Sequence, residues 1–200
     1  MSTDQGNDFR PSDFLESDVF ADVNSCGEKR CMDAKRLIEL LGLTPHLAEG
    51  GYFKETYRSI ERIPEDGLPA RFRSARNLAT AIFYLLTPDT CSAFHRLQSD
   101  EVFHFYLGDP VTLVMLYPNL LSERIVLGSD LESGQSVQCL VPRGTWQGMF
   151  LNDGGKFALM GTTVAPGFEF DDFECGDRDI LLSEYPQEAS AIVRLTRSSR

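Results

Sequence analysis

The sequence predicts an all-β sandwich or barrel preceded by one short helix, and three observations predict it. From Tyr52 onward apolar residues recur with a period near two, as in half-buried strands. The segments that carry this period are rich in β-branched and aromatic residues. Turn-forming residues interrupt them roughly every eight to twelve positions, the spacing of sandwiches and barrels.

Residues 1–31 hold Asp, Ser, Asn and Gly around isolated Phe9, Phe14 and Phe20 with no sustained period, and read as a mobile leader. Asp33 then stands where an N-cap belongs. Leu37, Ile38, Leu40 and Leu41 share a helical face before Gly42 stops the turn and Pro45 forbids continuation. Strands are expected over 51–59, 79–86, 102–107, 111–117, 123–127, 136–141, 148–151 and 157–164. Pro88-Asp89, Gly108-Asp109-Pro110, Pro118-Asn119, Gly134 and Asp153-Gly154-Gly155 supply the turns between them. From Asp177, through Leu181 and Leu182, the chain reads as a brief helix or turn and then a fraying end. The expected domain is 32–190, followed by a tail at 191–200.

The chain has 200 residues, 42% apolar and 24% charged, which suits one globular core without staples. No apolar run approaches the roughly 20 residues that span a bilayer, and the first thirty residues lack the basic start and apolar stretch of a signal peptide. A cytoplasmic protein is therefore expected. The five cysteines, Cys26, Cys31, Cys91, Cys139 and Cys175, are odd in number and scattered, as reduced structural thiols are. Thirty acids against 19 bases give a net charge of −11, which repels phosphate backbones. Nucleic acid and anionic membranes are thus poor partners.

The chemistry-bearing residues concentrate in one place. Of three histidines, His46, His95 and His104, the last two fall within the segment 94–108. If a turn at 98–100 joins two strands, His95 and Glu101 point into one cavity, and an imidazole beside a carboxylate suits both metal binding and general-base work. A solvated edge is the competing reading of the same spacing. Strict alternation puts Glu101, Phe103 and Phe105 on one face of their strand and His104 and Tyr106 on the other. His104 then has a structural hydrogen-bonding role unless a bulge intervenes.

The segment 94–108 resembles the first cupin motif, with His95 at its first metal histidine and with Glu101 and Gly108 at its Glu and Gly; Leu97 stands at its second histidine. Val141-Pro142-Arg143-Gly144-Thr145-Trp146-Gln147 resembles the second motif, with Gln147 in place of its histidine. The runs 43–59, 94–108 and 164–173 are together similar to the DUF985 family, also called cupin-5, of the RmlC-like cupin superfamily. The likeness extends from about Ala34 to Pro186. The resemblance implies a cupin double-stranded β-helix, or jelly roll, commonly dimeric and with a pocket in the barrel. It implies no activity.

The functional expectation is a small-molecule-binding cupin, of the sugar-nucleotide epimerase or isomerase kind if an enzyme, in which His95 removes a proton without metal. Glu101 or a late Asp holds the imidazole, and Tyr52 or Tyr106 returns a proton. Tyr52, Lys54, Arg58, Tyr106, Trp146 and Gln147 are candidate substrate contacts, although Lys54 and Arg58 suit a cross-strand ion pair and Trp146 suits plain core equally well. Glu169, Asp171 and Asp172 read as a solvated acidic edge, with an Asp that orients His95 as the alternative. No cofactor is expected; a divalent metal on His95, Glu101 and Gln147 is the rival, and a non-catalytic metabolite-binding module is a third reading. A strand over 78–86 that is apolar on both faces points to a homodimer.

Overall fold

The computed structural model describes residues 32–196, so the expected leader at 1–31, with Cys26 and Cys31, lies outside the described residues. The helix α1 (Ala34–Leu41) starts where Asp33 accepts a hydrogen bond from the Arg36 amide at 2.8 Å. It ends at Gly42, whose φ of 61° is the left-handed conformation that glycine adopts without a Cβ penalty.

The strands, in chain order, are β1 (Thr44–Pro45), β2 (Tyr52–Arg58), β3 (Arg62–Ile63), β4 (Arg76–Asn77), β5 (Thr80–Leu86), β6 (Cys91–Arg96), β7 (Asp100–Gly108), β8 (Val111–Leu116), β9 (Ser122–Leu127), β10 (Gln138–Val141), β11 (Trp146–Leu151), β12 (Ala158–Ala165) and β13 (Glu174–Cys175). They form a six-stranded sheet in the order β1-β2-β5-β12-β7-β10 and a five-stranded sheet in the order β13-β6-β11-β8-β9, with β3 and β4 as a small separate pair. Neighbouring strands are antiparallel throughout. This is the expected all-β jelly roll with a short leading helix.

Between the sheets, Tyr84, Leu86, Phe103, Phe105 and Met160 meet Leu113, Met115, Leu127, Met149 and Leu151 in the main core. Alternation explains its composition, because residues two apart on each strand share the inner face. On the outer face of the six-stranded sheet, Leu85 and Leu159 are covered by Leu37 of α1 and by Leu43. On the outer face of the five-stranded sheet, Phe94, Val114, Leu116 and Trp146 are covered by Leu181 of α2 (Arg178–Glu184) and by Ile192 and Leu195 of α3 (Ala189–Leu195). The C-terminal segment therefore holds two helices where one brief helix or turn is expected. Its packed part runs to Leu195, past the expected boundary at 190, because α3 supplies apolar cover that the sheet needs.

Three bulges decide what faces inward. In β7 the pairing with β12 shifts between Phe105 and Leu107, leaving Tyr106 as the extra residue. In β2 the pairing with β5 shifts between Glu55 and Tyr57, leaving Thr56 extra. In β6 the pairing with β11 shifts between Ser92 and His95. Each reverses the side on which later residues of its strand emerge.

Candidate functional site

One cavity of about 100 Å³ is lined among others by His46, Glu49, Phe53, Glu101, His95 and Phe173. His95 comes from β6 and Glu101 from β7, which lie in different sheets, so the two side chains meet across the interior rather than along one hairpin. Gln147 on β11 is the register partner of His95 and sits behind the cavity wall. All three are buried.

Gln147 links them. Its Nε2 donates to Glu101 Oε2 at 2.6 Å and lies 3.2 Å from His95 Nε2. His95 Nδ1 lies 2.8 Å from the Ala93 carbonyl, which only accepts, so Nδ1 carries the proton and Nε2 presents a lone pair. The amide must then point its NH2 at both neighbours, leaving Gln147 Oε1 buried without a hydrogen-bond partner. Burial pushes the Glu101 carboxyl above its ordinary value; the nearby His95, and hydrogen bonds from Gln147 and Thr162, oppose the shift, while Glu49 adds to it. Phe173 stacks on the His95 ring with centroids 4.9 Å apart.

Glu49 completes the floor. Its Oε2 is 4.0 Å from His95 Nε2, and Ser92 donates its hydroxyl to Oε1. Local structure holds it there: the Glu49 carbonyl accepts from the Ala93 amide, and its own amide donates to His46 Nδ1 at 2.9 Å. Gly50 follows with a φ of 108°, and a Cβ there would lie 2.2 Å from the Cys91 carbonyl oxygen, so only glycine makes this turn. Tyr84 donates its hydroxyl to the Gly50 carbonyl at 2.9 Å and locks it.

At the mouth, Arg58 donates to both carboxylate oxygens of Glu55, to Glu169, to Asn77 and to the Phe168 carbonyl. The Thr56 bulge is why Arg58 shares a side with Phe53 and Glu55 rather than with Tyr52 and Lys54.

Of the sequence candidates, His95, Glu101 and Arg58 line the cavity and Gln147 backs it; Tyr52, Lys54, Tyr106 and Trp146 do not line it. Tyr52 packs beside Leu85 under α1, on the opposite side of β2 from Phe53. Lys54 is exposed and reaches toward Gly42. Tyr106 is outward, as alternation from Glu101 requires, where it covers Gly161 and meets Phe83 edge-on. Trp146 belongs to the outer core with Arg96 over its ring, so its core reading is the observed one. Tyr52 and Tyr106 as proton donors are therefore corrected, since both lie on the far face of their sheet. His104 is also outward, bonded to Thr163 and Gln138.

A late Asp as the partner of His95 is corrected as well. Asp172 forms a buried two-pronged pair with Arg76 at 2.7 and 2.8 Å, and the group that orients the imidazole is the Ala93 carbonyl. Glu169, read as solvated edge, bonds Arg58 at the mouth. Glu49, His46, Phe53 and Phe173 were missed as a group. The one local signal was the Glu49-Gly50-Gly51 turn at the start of a strand.

The metal alternative requires His95, Glu101 and Gln147 to converge as donors of lone pairs. They converge, but Gln147 offers N–H to both neighbours, and among the described residues no three His, Cys, Asp or Glu side chains are grouped to hold an ion. This set does not fit a divalent metal.

Comparison with known proteins agrees with the fold. The uncharacterized protein YML079W of Saccharomyces cerevisiae is 32% identical over 158 residues, covering 74% of this chain and 78% of that protein. The crystal structure of protein SO0799 from Shewanella oneidensis matches with a TM-score of 0.75 at 36% identity, over 84% of this chain and all of that one. A hypothetical protein from Leishmania major matches with a TM-score of 0.74 at 30% identity, again over 84% of this chain and all of that one. The profile described as Cupin superfamily (DUF985), Cupin_5, matches residues 35–176, and the chain belongs to that family.

Proposed function

We propose that the cavity binds a small molecule and that His95 is a metal-independent base for epimerase- or isomerase-like proton transfer next to a carbonyl. The observation that carries this reading is the His95 imidazole, oriented through Nδ1 by the Ala93 carbonyl, with Nε2 4.0 Å from Glu49 and joined through Gln147 to Glu101 in one cavity. Of the two Gln147 contacts, the 3.2 Å one to His95 is the longer, and a substrate C–H can take its place. Abstraction breaks that C–H bond, places the proton on Nε2 and leaves the electron pair in the enolate. Glu49 and Glu101 then stabilise the imidazolium. With no tyrosine among the lining residues, His95 itself returns the proton on the same face, to the adjacent carbon in an isomerisation, and inversion takes its proton from water on the opposite face.

The test is exchange of carbonyl-adjacent hydrogens in D2O, followed by NMR over a panel of keto sugars, sugar nucleotides and small carbonyl compounds. Wild type should exchange at least one, and His95→Ala should lose about 10²–10⁴-fold of that rate. Equal exchange by the variant ends the proposal. A binding-only module is the second reading, favoured because Gln147 already hydrogen-bonds Nε2. Native mass spectrometry showing a retained compound that is never converted would select it.

A further inference from the structure

The charges around the cavity restrict what it accepts. Its lining carries Glu49, Glu55, Glu101 and Glu169 against the single guanidinium of Arg58. That guanidinium directs hydrogen bonds to Glu55 at 2.8 and 3.0 Å, Glu169 at 2.8 Å, and Asn77 and the Phe168 carbonyl at 3.2 Å. Five contacts use its donor capacity. A phosphate entering here meets carboxylates and an engaged Arg, which opposes a sugar nucleotide. The cavity of about 100 Å³ opposes it too, being well below the roughly 300–1,000 Å³ of drug-sized pockets.

Glu49 is differently placed from the carboxylates at the mouth. Its side chain is 12% exposed, it accepts from Ser92, and among the described residues no Lys or Arg pairs with it. The cationic candidate nearest this mostly buried carboxylate is the His95 imidazole at 4.0 Å, and a cationic ligand would offset the remaining cost of its desolvation. Aromatic rings line the same cavity. His46 meets Phe53 edge-on at 4.6 Å and Phe170 at 6.4 Å, and Phe173 lies on His95. A carboxylate and aromatic rings lining one cavity are the groups that recognise quaternary and primary ammonium ions.

We infer that the ligand of this cavity is a small, unphosphorylated organic cation whose ammonium sits against Glu49 among Phe53, Phe170 and Phe173. The inference rests on the cavity being the ligand site, as proposed above, and is independent of whether His95 moves a proton.

Calorimetric titration of the full chain with choline, with its neutral isostere 3,3-dimethylbutanol and with glucose 1-phosphate provides the test. Choline should bind at least tenfold more tightly than the isostere. Glu49→Gln should erase that preference, and Phe173→Leu should reduce it, with both variants folded by circular dichroism. Equal binding of choline and isostere by wild type, or tighter binding of the phosphorylated sugar, overturns the inference. A preference for choline with no deuterium exchange in any compound upholds the ligand class and removes the proton-transfer reading. Exchange of a phosphorylated sugar that depends on His95 does the reverse.

Discussion

Gln147 supplies N–H to two buried acceptors, the Glu101 carboxylate, which Thr162 also reaches, and the His95 Nε2. Replacing it with Leu leaves both without that donor, so Gln147→Leu should lose about 1–3 kcal/mol of stability by urea denaturation. Glu101 adds a pH dependence whose sign is fixed. Its folded value lies above the ordinary 4.5, with burial as the largest cause, so the folded state binds the proton more tightly than the unfolded chain. The associated stability is full below about 4.5 and is lost as pH rises through the higher folded value. Denaturation at a series of pH values should therefore show wild type losing ground to Glu101→Gln on going from acid to neutral pH. A flat difference contradicts the burial argument.

Strands and helices bring these residues together, and their irregularities matter as much as their regular parts. The Arg76–Asp172 pair ties β4 to the turn at Phe170–Asp172 that closes one wall of the cavity, with both partners almost fully buried. Arg76→Met leaves an uncompensated buried carboxylate and should cost about 3–5 kcal/mol in chemical denaturation. The half-exposed Arg58–Glu55 pair is a weaker structural element; Glu55→Gln should change stability by no more than about 1 kcal/mol. Ile192 of α3 is fully buried against the outer face of the five-stranded sheet. Ile192→Ala should cost about 2–5 kcal/mol, measured the same way; a cost near zero would show α3 to be dispensable cover.

The outer face of the six-stranded sheet is only partly covered by α1, and Tyr57, Tyr106, Leu107 and Leu140 remain more than a third exposed. We propose that a second copy of the chain covers them, in keeping with the two-sided apolar character of β5. Light scattering at micromolar concentration should give the mass of two chains, and Leu140→Glu should shift it toward one. No helix among the described residues is long and apolar enough to cross a membrane.

Strand existence was legible because period-two patterning and turn chemistry are local properties, and so was α1, whose cap and stop residues are adjacent in the chain. The strand at Cys91–Arg96 is short and was assumed for His95 rather than read from its pattern. The helix at Ala189–Leu195 was not legible, because its apolar residues are too few to announce an amphipathic face without the sheet they cover. Parity along a strand was the weakest guide to the site: counting by twos puts Arg58 with Tyr52 and Lys54, and a single extra residue at Thr56 moves it to the cavity.

The sequence alone determined the strands and turns of an all-β sandwich or barrel, which depend on short-range patterning, and its resemblance to the cupin-5 motifs implied the jelly roll and the neighbourhood of His95, Glu101 and Gln147. Tertiary structure alone decided that Glu49, His46, Phe53 and Phe173 join them and that Tyr52, Tyr106 and Trp146 do not. The cavity is assembled from two sheets and a late turn, and bulges reverse which face a residue presents, so no local pattern encodes its membership.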